Sequence, residues 1–264
     1  MLFRSNDTAT TEIYTCLDTL SLHDALPIYA GTSGWAYAGW KPDFYPAKLP
    51  SKSFLAHYGT RLNTVEVNYS FRRLVSASTF ENWTAATPAE FKFAVKAHQK
   101  ITHILRLKNA EEMVRAFMSS VGPLHQAGKL GPILFQLPPN LKCSLELLDE
   151  FLAQLPRTPR YTFEFRHESW FADPVYDLLR KHNAALCVAE SEDRTVPDET
   201  TADFSYYRFR QPEYSAEQRR ELAQKLAAKI VEGKDVFAYF KHEETPQGAL
   251  YAEELLQAVK AKAA

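Results

Sequence analysis

The sequence is poor in cysteine and has no long apolar run. Only three of the 264 residues are cysteines, and Cys143 and Cys187 are too isolated to form a disulfide framework or a cysteine zinc site. No stretch approaches the roughly 18 apolar residues of a membrane span. These absences argue against a disulfide-rich secreted domain and against a membrane partner, so we expect a cytoplasmic protein.

Neither sign of charge is in excess. Lysine and arginine together number 31, aspartate and glutamate 32, and the net charge is −1. A dedicated nucleic-acid binder carries a strongly basic surface, which this balance does not indicate. A nucleic-acid partner is therefore left open but is not indicated by charge, and the oligomeric state is not specified.

Residues 1–28 do not read as part of the folded domain. Two pieces, NDTATTEIYT and TLSLHDALPI, resemble translated sequencing adapters. Polar residues interrupt every apolar run, so the segment lacks the apolar stretch of roughly 7–15 residues that a signal peptide needs. We interpret it as a non-native, disordered segment. Removing these 28 of 264 residues leaves 236, close to the ~250 residues of one (β/α)₈ barrel.

Short apolar runs rich in β-branched and aromatic residues alternate with helical patterns along residues 29–264. Such alternation is typical of βαβ units and a parallel sheet. The predicted strands are 30–33, 64–68, 92–96, 132–136, 161–166, 185–189, 204–209 and 236–240. The predicted helices are 51–58, 76–86, 110–127, 144–155, 174–182, 216–232 and 251–262, with Ser51, Ser144 and Ser215 as N-caps.

The link from strand 6 to strand 7 differs from the others. Residues 191–202 are polar, contain Pro197 and are too few for a full covering helix, so we predict an irregular connection. No repeat or shift in composition marks a second domain. The sequence therefore predicts one α/β domain, a (β/α)₈ TIM-type barrel, over residues 29–264.

Several segments in order resemble one family. They are AGTSGWAYAGW at 30–40 with FYP at 44–46, TVEVNYSF at 64–71, FKFAVKAHQKITH at 91–103, LGPILFQLPP at 130–139 and FEFRHESWF at 163–171. Together they are similar to the YecE-like family called domain of unknown function 72 (DUF72). The resemblance implies an eight-stranded barrel and no assigned reaction. The chain departs from the family pattern after strand 6 and after strand 8, at 190–192 and 241–243.

Charged side chains lie near the carboxyl ends of otherwise apolar strands. Parallel barrel strands are buried on both faces, so a charged residue in one must be paired, hydrogen-bonded or functional. The active sites of such barrels lie at the carboxyl ends of the strands. Because side chains alternate between faces, Glu164 and Arg166 share a face of strand 5. Tyr206, Arg208 and Arg210 share a face of strand 7.

We therefore expect one pocket at the carboxyl-terminal mouth of the barrel. Its candidate catalytic residues, as general acid or base, are Glu66 and Glu164. Its candidate ligand-binding residues are Asn68, Lys96, Gln136, Arg166, His167, Trp170, Tyr206 and Arg208. The arginines offer bidentate donors to a carboxylate or phosphate. The structural alternative is a buried ion-pair network of Glu66, Lys96, Glu164 and Arg166 that only stabilises the barrel.

Three familiar chemistries fit less well. Retaining glycosidases with this barrel commonly take their carboxylates from strands 4 and 7, where this chain has Gln136 and Arg208. A Schiff base at Lys96 needs a lowered pKa, and the neighbouring Glu66 and Glu164 should raise it. A metal site could draw on scattered Glu and His residues, but no ligand spacing is recognisable, so we predict no metal ligands.

Two functional hypotheses remain. The first is an enzyme, a hydrolase, lyase or isomerase, that applies general acid–base chemistry to a small polar or anionic substrate. The second is a non-catalytic binding module for a nucleotide, a phosphosugar or a nucleic-acid end. The sequence does not specify a cofactor.

Overall fold

The computed structural model describes residues 28–191, 194–241 and 244–263. Eight parallel strands close into one barrel in chain order, with β1 paired to both β2 and β8. The predicted (β/α)₈ fold is thereby confirmed. The strands are β1 Ile28–Thr32, β2 Thr64–Val67, β3 Lys92–Lys96, β4 Leu130–Gln136, β5 Tyr161–Glu164, β6 Ala184–Ala189, β7 Phe204–Phe209 and β8 Asp235–Phe240.

Helices cover the outside of the barrel in the described ranges. They are α1 Phe54–Arg61, α2 Ala77–Ala85, α3 Glu111–Ser120, α4 Gly122–Gln126, α5 Leu145–Gln154, α6 Asp173–Lys181, α7 Ala216–Val231 and α8 Gln247–Ala263. The single helix predicted over 110–127 is in fact two, α3 and α4. The break falls where Pro123 occupies the first turn of α4, because proline lacks the N–H that a continuing helix would use.

Two of the three predicted serine caps are present. The Ser144 side chain accepts from Leu147 N at the start of α5, and Ser215 forms a capping box with Gln218 at the start of α7. The prediction for Ser51 is wrong. Ser51 opens a short 3₁₀ turn that precedes α1, and no side-chain cap is present there.

The first strand begins at Ile28, which is the last residue of the segment 1–28 that we interpret as non-native. Ile28 is 1% exposed and pairs with Val236 of β8, so the boundary after Ile28 is corrected to lie before it; residues 1–27 are outside the described residues. At the other end, α8 packs beside α1, where Arg61 Nε donates to Glu253 Oε1 at 2.9 Å. The link from β6 to β7 contains no helix among its described residues.

The lower and upper halves of the barrel interior differ in polarity. Small and aromatic side chains fill the lower half, among them Ala94, Leu134, Ala185, Phe204 and Phe237. Toward the carboxyl ends of the strands the buried side chains become polar or charged. The helices pack on the outer face of the sheet in a second, larger apolar layer. Within the described ranges no helix has the length and apolar content needed to cross a bilayer.

Tyr58 of α1 reaches between β1 and β2 just below the mouth. Its hydroxyl accepts from Thr32 N at 2.9 Å and donates to Thr64 O at 2.9 Å. A Cβ on Gly31 would lie 2.0 Å from Thr64 O and 2.8 Å from the Tyr58 hydroxyl. Glycine is therefore needed at position 31, because any side chain would expel this bridge.

Candidate functional site

Arg208 lies at the centre of the barrel mouth, between two buried glutamates. Its Nη2 donates to Glu66 Oε1 at 2.7 Å, and its Nη1 donates to Glu164 Oε2. The exposed fractions are 0% for Glu66, 3% for Glu164 and 4% for Arg208. One guanidinium thus joins β2, β5 and β7. We call these three residues the inner layer.

Polar neighbours complete the hydrogen bonds of the two carboxylates. Glu66 accepts from the Ser33 hydroxyl at 2.9 Å, the Tyr206 hydroxyl at 2.7 Å and Asn68 Nδ2 at 3.2 Å. Glu164 accepts from Gln136 Nε2 at 2.9 Å. Tyr206 reaches Glu66 because it lies two residues before Arg208 on β7, on the same face of the strand.

Both inner carboxyls are held ionised. Burial is the largest influence and would raise the pKa of each, but the Arg208 charge and the hydrogen bonds outweigh it. The pKa of Glu66 is therefore lowered, and that of Glu164 lies well below its ordinary range. A general acid near neutral pH needs a raised pKa. The environment of Glu66 and Glu164 is the opposite of what our acid–base hypothesis requires of them.

Three further cations surround the inner layer and stay partly exposed. Arg166 Nε donates to Glu164 Oε1 at 3.1 Å, and Arg210 Nη2 lies 3.5 Å from Glu164 Oε2. Their side chains are 27% and 23% exposed. Lys96 Nζ donates to Gln136 Oε1 at 2.7 Å and lies 4.1 Å from the centre of the Phe71 ring. Lys96, Arg166 and Arg210 form what we call the outer layer.

The pKa of Lys96 is shifted toward neutral pH. Burial, followed by the Arg208 charge, lowers the pKa of Lys96 to about 8, although Glu66 and Glu164 act in the opposite direction. The glutamates raise the pKa of Lys96, as predicted, but burial and the Arg208 charge together outweigh them.

The two layers carry an excess of positive charge. Four cations, Lys96 and three arginines, face the two inner carboxylates. Nearby, Glu190 accepts from the Arg210 backbone N–H at 2.6 Å and Arg194 donates to Arg166 O at 3.0 Å, which adds one charge of each sign. These eight side chains, five cations and three carboxylates, therefore carry an excess of two positive charges when Lys96 is protonated.

Two predicted ligand-binding residues, Trp170 and His167, make their hydrogen bonds away from the two layers. Trp170 is 0% exposed; it stacks on Phe165 at 4.6 Å, and its indole N–H donates to Leu141 O at 2.7 Å, so it belongs to the core. His167 accepts from Ser169 N and caps a short 3₁₀ turn. β5 has already ended at Glu164, so the alternation of the strand no longer applies to His167.

Several buried polar atoms of the site have no hydrogen-bond partner in the described part of the chain. They are Asn68 Oδ1, Arg208 Nε and Arg210 Nε, and Trp40 Nε1 is the one such atom found elsewhere. An unpartnered buried polar group costs about 1–3 kcal/mol. Unpartnered groups of this kind call for a specific explanation, such as a ligand or water. Three of these four atoms lie at the mouth, so a ligand or water with matching donor and acceptor groups would be stabilised there.

The alternation of strands accounts for most of the site, and Ser33 is the exception. Arg210 follows from the same face of β7 as Tyr206 and Arg208. Ser33 donates to Glu66, but it is a small uncharged residue at the end of the predicted first strand and carries no signal of its own in a single sequence. Only its position directly after β1, at the mouth of a barrel, could have suggested it.

The described residues do not group metal ligands at the mouth. Within the described ranges, no three His, Cys, Asp or Glu side chains lie close enough together to hold a metal ion. His242, one of the scattered histidines on which a metal site could draw, lies outside those ranges. The two carboxylates of the inner layer are engaged by Arg208.

Comparisons with known proteins agree with this architecture. The profile of the family described as "Protein of unknown function DUF72" matches residues 29–264. UPF0759 protein YunF of Bacillus subtilis (strain 168) is 36% identical over 157 residues, 57% of this chain and 54% of that protein. UPF0759 protein YecE of Escherichia coli (strain K12) is 30% identical over 146 residues, 55% of this chain and 50% of that protein. The chain spans about half the length of these curated relatives.

Solved structures show the same fold. A DUF72 family protein from Thermotoga maritima MSB8 superposes with a TM-score of 0.77 at 26% identity, covering 88% of this chain and 99% of that one. A methyltransferase from Methanosarcina mazei superposes with a TM-score of 0.54 at 11% identity, covering 96% of this chain and 98% of that one. The second likeness is one of fold alone.

Proposed function

We propose that this chain, which belongs to the DUF72 family of proteins of unknown function, binds a small anion at the carboxyl-terminal mouth of its barrel. The anion is a carboxylate or a phosphate, and the outer layer holds it. The observation that carries the proposal is the charge balance. Four cations, Arg208, Lys96, Arg166 and Arg210, face only the two inner carboxylates, and all of them except Arg208 remain partly exposed.

The donors left over suit an anion. Arg166 and Arg210 each use only part of their guanidinium on Glu164, and Arg210 Nε is buried without a partner in the described residues. Guanidinium groups bind carboxylate and phosphate through paired donors, and such charge-assisted bonds are about twice as strong as neutral ones. An anion between these side chains would offset the repulsion among the three cations of the outer layer.

For catalysis, the site offers Lys96 as the proton carrier. Its pKa of about 8 allows it to exchange a proton near neutral pH, as a general acid or base should. Glu66 and Glu164 then act as positioning residues that hold Arg208 and orient Arg166. Acid–base chemistry on a small anionic substrate is thus assigned to Lys96 rather than to the two glutamates.

The non-catalytic alternative uses the same anion site for a nucleotide, a phosphosugar or a nucleic-acid end. Incubation with a pooled library of metabolites and oligonucleotides, followed by mass spectrometry, separates the two. Turnover that is lost in Lys96→Met supports the enzyme. Compounds retained unchanged by wild type, with no turnover, support the binding module.

Anion binding itself is tested by calorimetric titration with inorganic phosphate and with acetate. The variant Arg166→Ala should weaken binding by about tenfold, because one charge-assisted pair is removed. The matched control is Arg115→Ala, which removes an exposed arginine on α3 and should leave binding unchanged. Equal affinity in wild type and Arg166→Ala, or no binding of either anion, would contradict the proposal.

A further inference from the structure

A cavity of about 590 Å³ lies beside the mouth, between the carboxyl ends of β1 and β2 and helix α2. Its volume falls in the range of small-molecule sites, ~300–1,000 Å³. Aromatic side chains form much of its lining: Trp35, Tyr37, Tyr69 and Trp83. Among the described residues, Arg73 is the one charged residue that lines it. The chemistry of this cavity therefore differs from that of the cationic mouth.

The cavity and the charged site share two residues. Ser33 and Asn68 both line the cavity, and both donate to Glu66 Oε1, at 2.9 Å and 3.2 Å. Since a carboxylate only accepts hydrogen bonds, Asn68 must turn its amide N–H₂ toward Glu66. The cavity therefore borders the hydrogen-bond network of the inner layer. The segment that carries Tyr69 also reaches the outer layer, because Lys96 Nζ lies 4.1 Å from the centre of the Phe71 ring.

The aromatic side chains that line the cavity are held in place by contacts with one another and with the backbone. Trp35 and Trp83 meet edge to face at 4.8 Å, and Trp83 also packs on Phe80 at 5.3 Å. The Tyr37 hydroxyl donates to Ser33 O at 2.9 Å. Gly34 has a φ of +106°, and a Cβ there would lie 2.6 Å from the Tyr37 hydroxyl. Glycine at position 34 therefore allows Tyr37 to close this wall.

The outer wall of the cavity is an exposed aromatic residue with a cation above it. Tyr69 is 47% exposed, an unusual state for a large side chain that packs beside a cavity. The Arg73 guanidinium lies 4.3 Å from the centre of its ring. A planar ring entering the cavity would cover Tyr69, and would meet the edges and faces of aromatic rings in the geometries that such rings prefer.

We infer that this cavity holds a planar ring of the same ligand whose anionic group binds the outer layer. The ligand class is a small aromatic or heteroaromatic anion, an aryl phosphate or an aryl carboxylate, of which a mononucleotide is one example. The inference rests on the proposed anion site and adds the second half of the ligand. The aromatic cavity selects the ring, and the cations select the charge.

The test compares ligands that differ only in the ring. Phenyl phosphate is titrated against inorganic phosphate, and phenylacetate against acetate, which also tells a phosphate site from a carboxylate site. In wild type the ring should tighten binding by about tenfold or more, because burying a ring removes a large apolar area from water. Tyr69→Ala removes one wall, and Thr79→Trp fills the cavity from α2. Both should reduce the ring's advantage to less than about twofold while phosphate and acetate bind as before.

The matched control is Leu145→Ala, which removes an exposed apolar side chain at the start of α5 and should change nothing. If phosphate or acetate binds but the ring adds no affinity, the ring inference is wrong and the anion site stands. If ring-bearing anions bind more tightly but neither Tyr69→Ala nor Thr79→Trp alters this, the cavity is wrongly assigned. If no anion binds in wild type, with or without a ring, the proposed function fails and the ring inference fails with it.

Discussion

The inner and outer layers of the mouth contain the same kinds of charged groups in different environments. In the inner layer Glu66, Arg208 and Glu164 are at most 4% exposed, and every carboxylate oxygen accepts a hydrogen bond. In the outer layer Arg166 and Arg210 are about a quarter exposed and share one carboxylate. Residue type alone therefore does not tell a structural ion pair from a binding group. Burial and the count of partners separate the two.

The physical reason is the cost of removing charge from water. A buried ion is stable only when partners replace its hydration, and breaking a buried pair by removing one member costs about 3–5 kcal/mol. Partly exposed pairs are worth about 0–1 kcal/mol. With the anion site that we propose, the two interpretations that the sequence leaves open, a structural network and a ligand site, apply to different residues of the same cluster.

The largest expected effect is on Arg208. Arg208→Met should lower the free energy of unfolding by about 3–5 kcal/mol, because Glu66 is left buried without a cation and Glu164 keeps only its partly exposed arginines. Urea denaturation measures this. The triple variant Glu66→Gln, Glu164→Gln, Arg208→Met removes all three charges and should be more stable than Arg208→Met. A triple variant that is less stable than Arg208→Met would show that uncompensated charge is not the cause.

The second prediction compares the loss of stability caused by substituting one residue of each layer. Glu164→Gln should destabilise the fold by about 3 kcal/mol, since Arg208 loses one of its two buried partners. Arg166→Ala should cost no more than about 1 kcal/mol. Thermal or urea unfolding gives both values. If Arg166→Ala destabilises as much as Glu164→Gln, the two layers are one structural network, and the outer layer is not a binding surface.

Low pH should destabilise the fold through protonation of the inner-layer carboxylates. The pKa values of Glu66 and Glu164 are lowered by Arg208 and by hydrogen bonds that outweigh burial. Their stabilisation is therefore fully present above the ordinary carboxyl pKa of 4.5 and is lost as the pH falls through the folded-state values. Urea midpoints measured from pH 7 down to pH 3 should fall, and Glu164→Gln should show a smaller fall. An identical fall in both proteins would assign the acid sensitivity to other carboxyls.

Much of this site can be predicted from the sequence with two rules. The rest depends on where the strands end and on contacts between residues far apart in the chain. Period-two alternation and the carboxyl-end rule predict that Glu66, Glu164 and Arg208 meet at the mouth, and they do. The alternation rule does not decide the position of His167, because β5 ends at Glu164 and the chain turns into a 3₁₀ segment that His167 caps. Trp170 also follows β5 in the sequence, but its indole N–H donates to the backbone carbonyl of Leu141 in the core.

Protonation states are the part that a single sequence cannot supply. Burial and the Arg208 charge lower the pKa of Lys96, and the Glu66 and Glu164 charges raise it. Which influence is larger depends on distances of a few ångströms. The division into two layers has the same origin. Glu164 and Arg166 are two residues apart on the same strand face by pattern, yet one is 3% exposed and the other 27%.

The smallest expected effect concerns the outer layer alone. Lys96 is protonated below its pKa of about 8, so anion affinity should be highest below that pH and fall as the pH rises through it. The fall should be about fivefold, the loss of one charge-assisted contact. Sulfate is the suitable probe, because its charge does not change over this range. In Lys96→Met the affinity should be low at every pH and independent of it.

His103 provides the control for this last prediction. Burial, with the Lys96 and Arg166 charges, lowers the pKa of His103, so it is already neutral where Lys96 titrates. His103→Gln should therefore keep the fall in affinity near pH 8. If the fall is absent in His103→Gln, or persists in Lys96→Met, the titrating group is not Lys96 and the outer layer binds anions through its arginines alone.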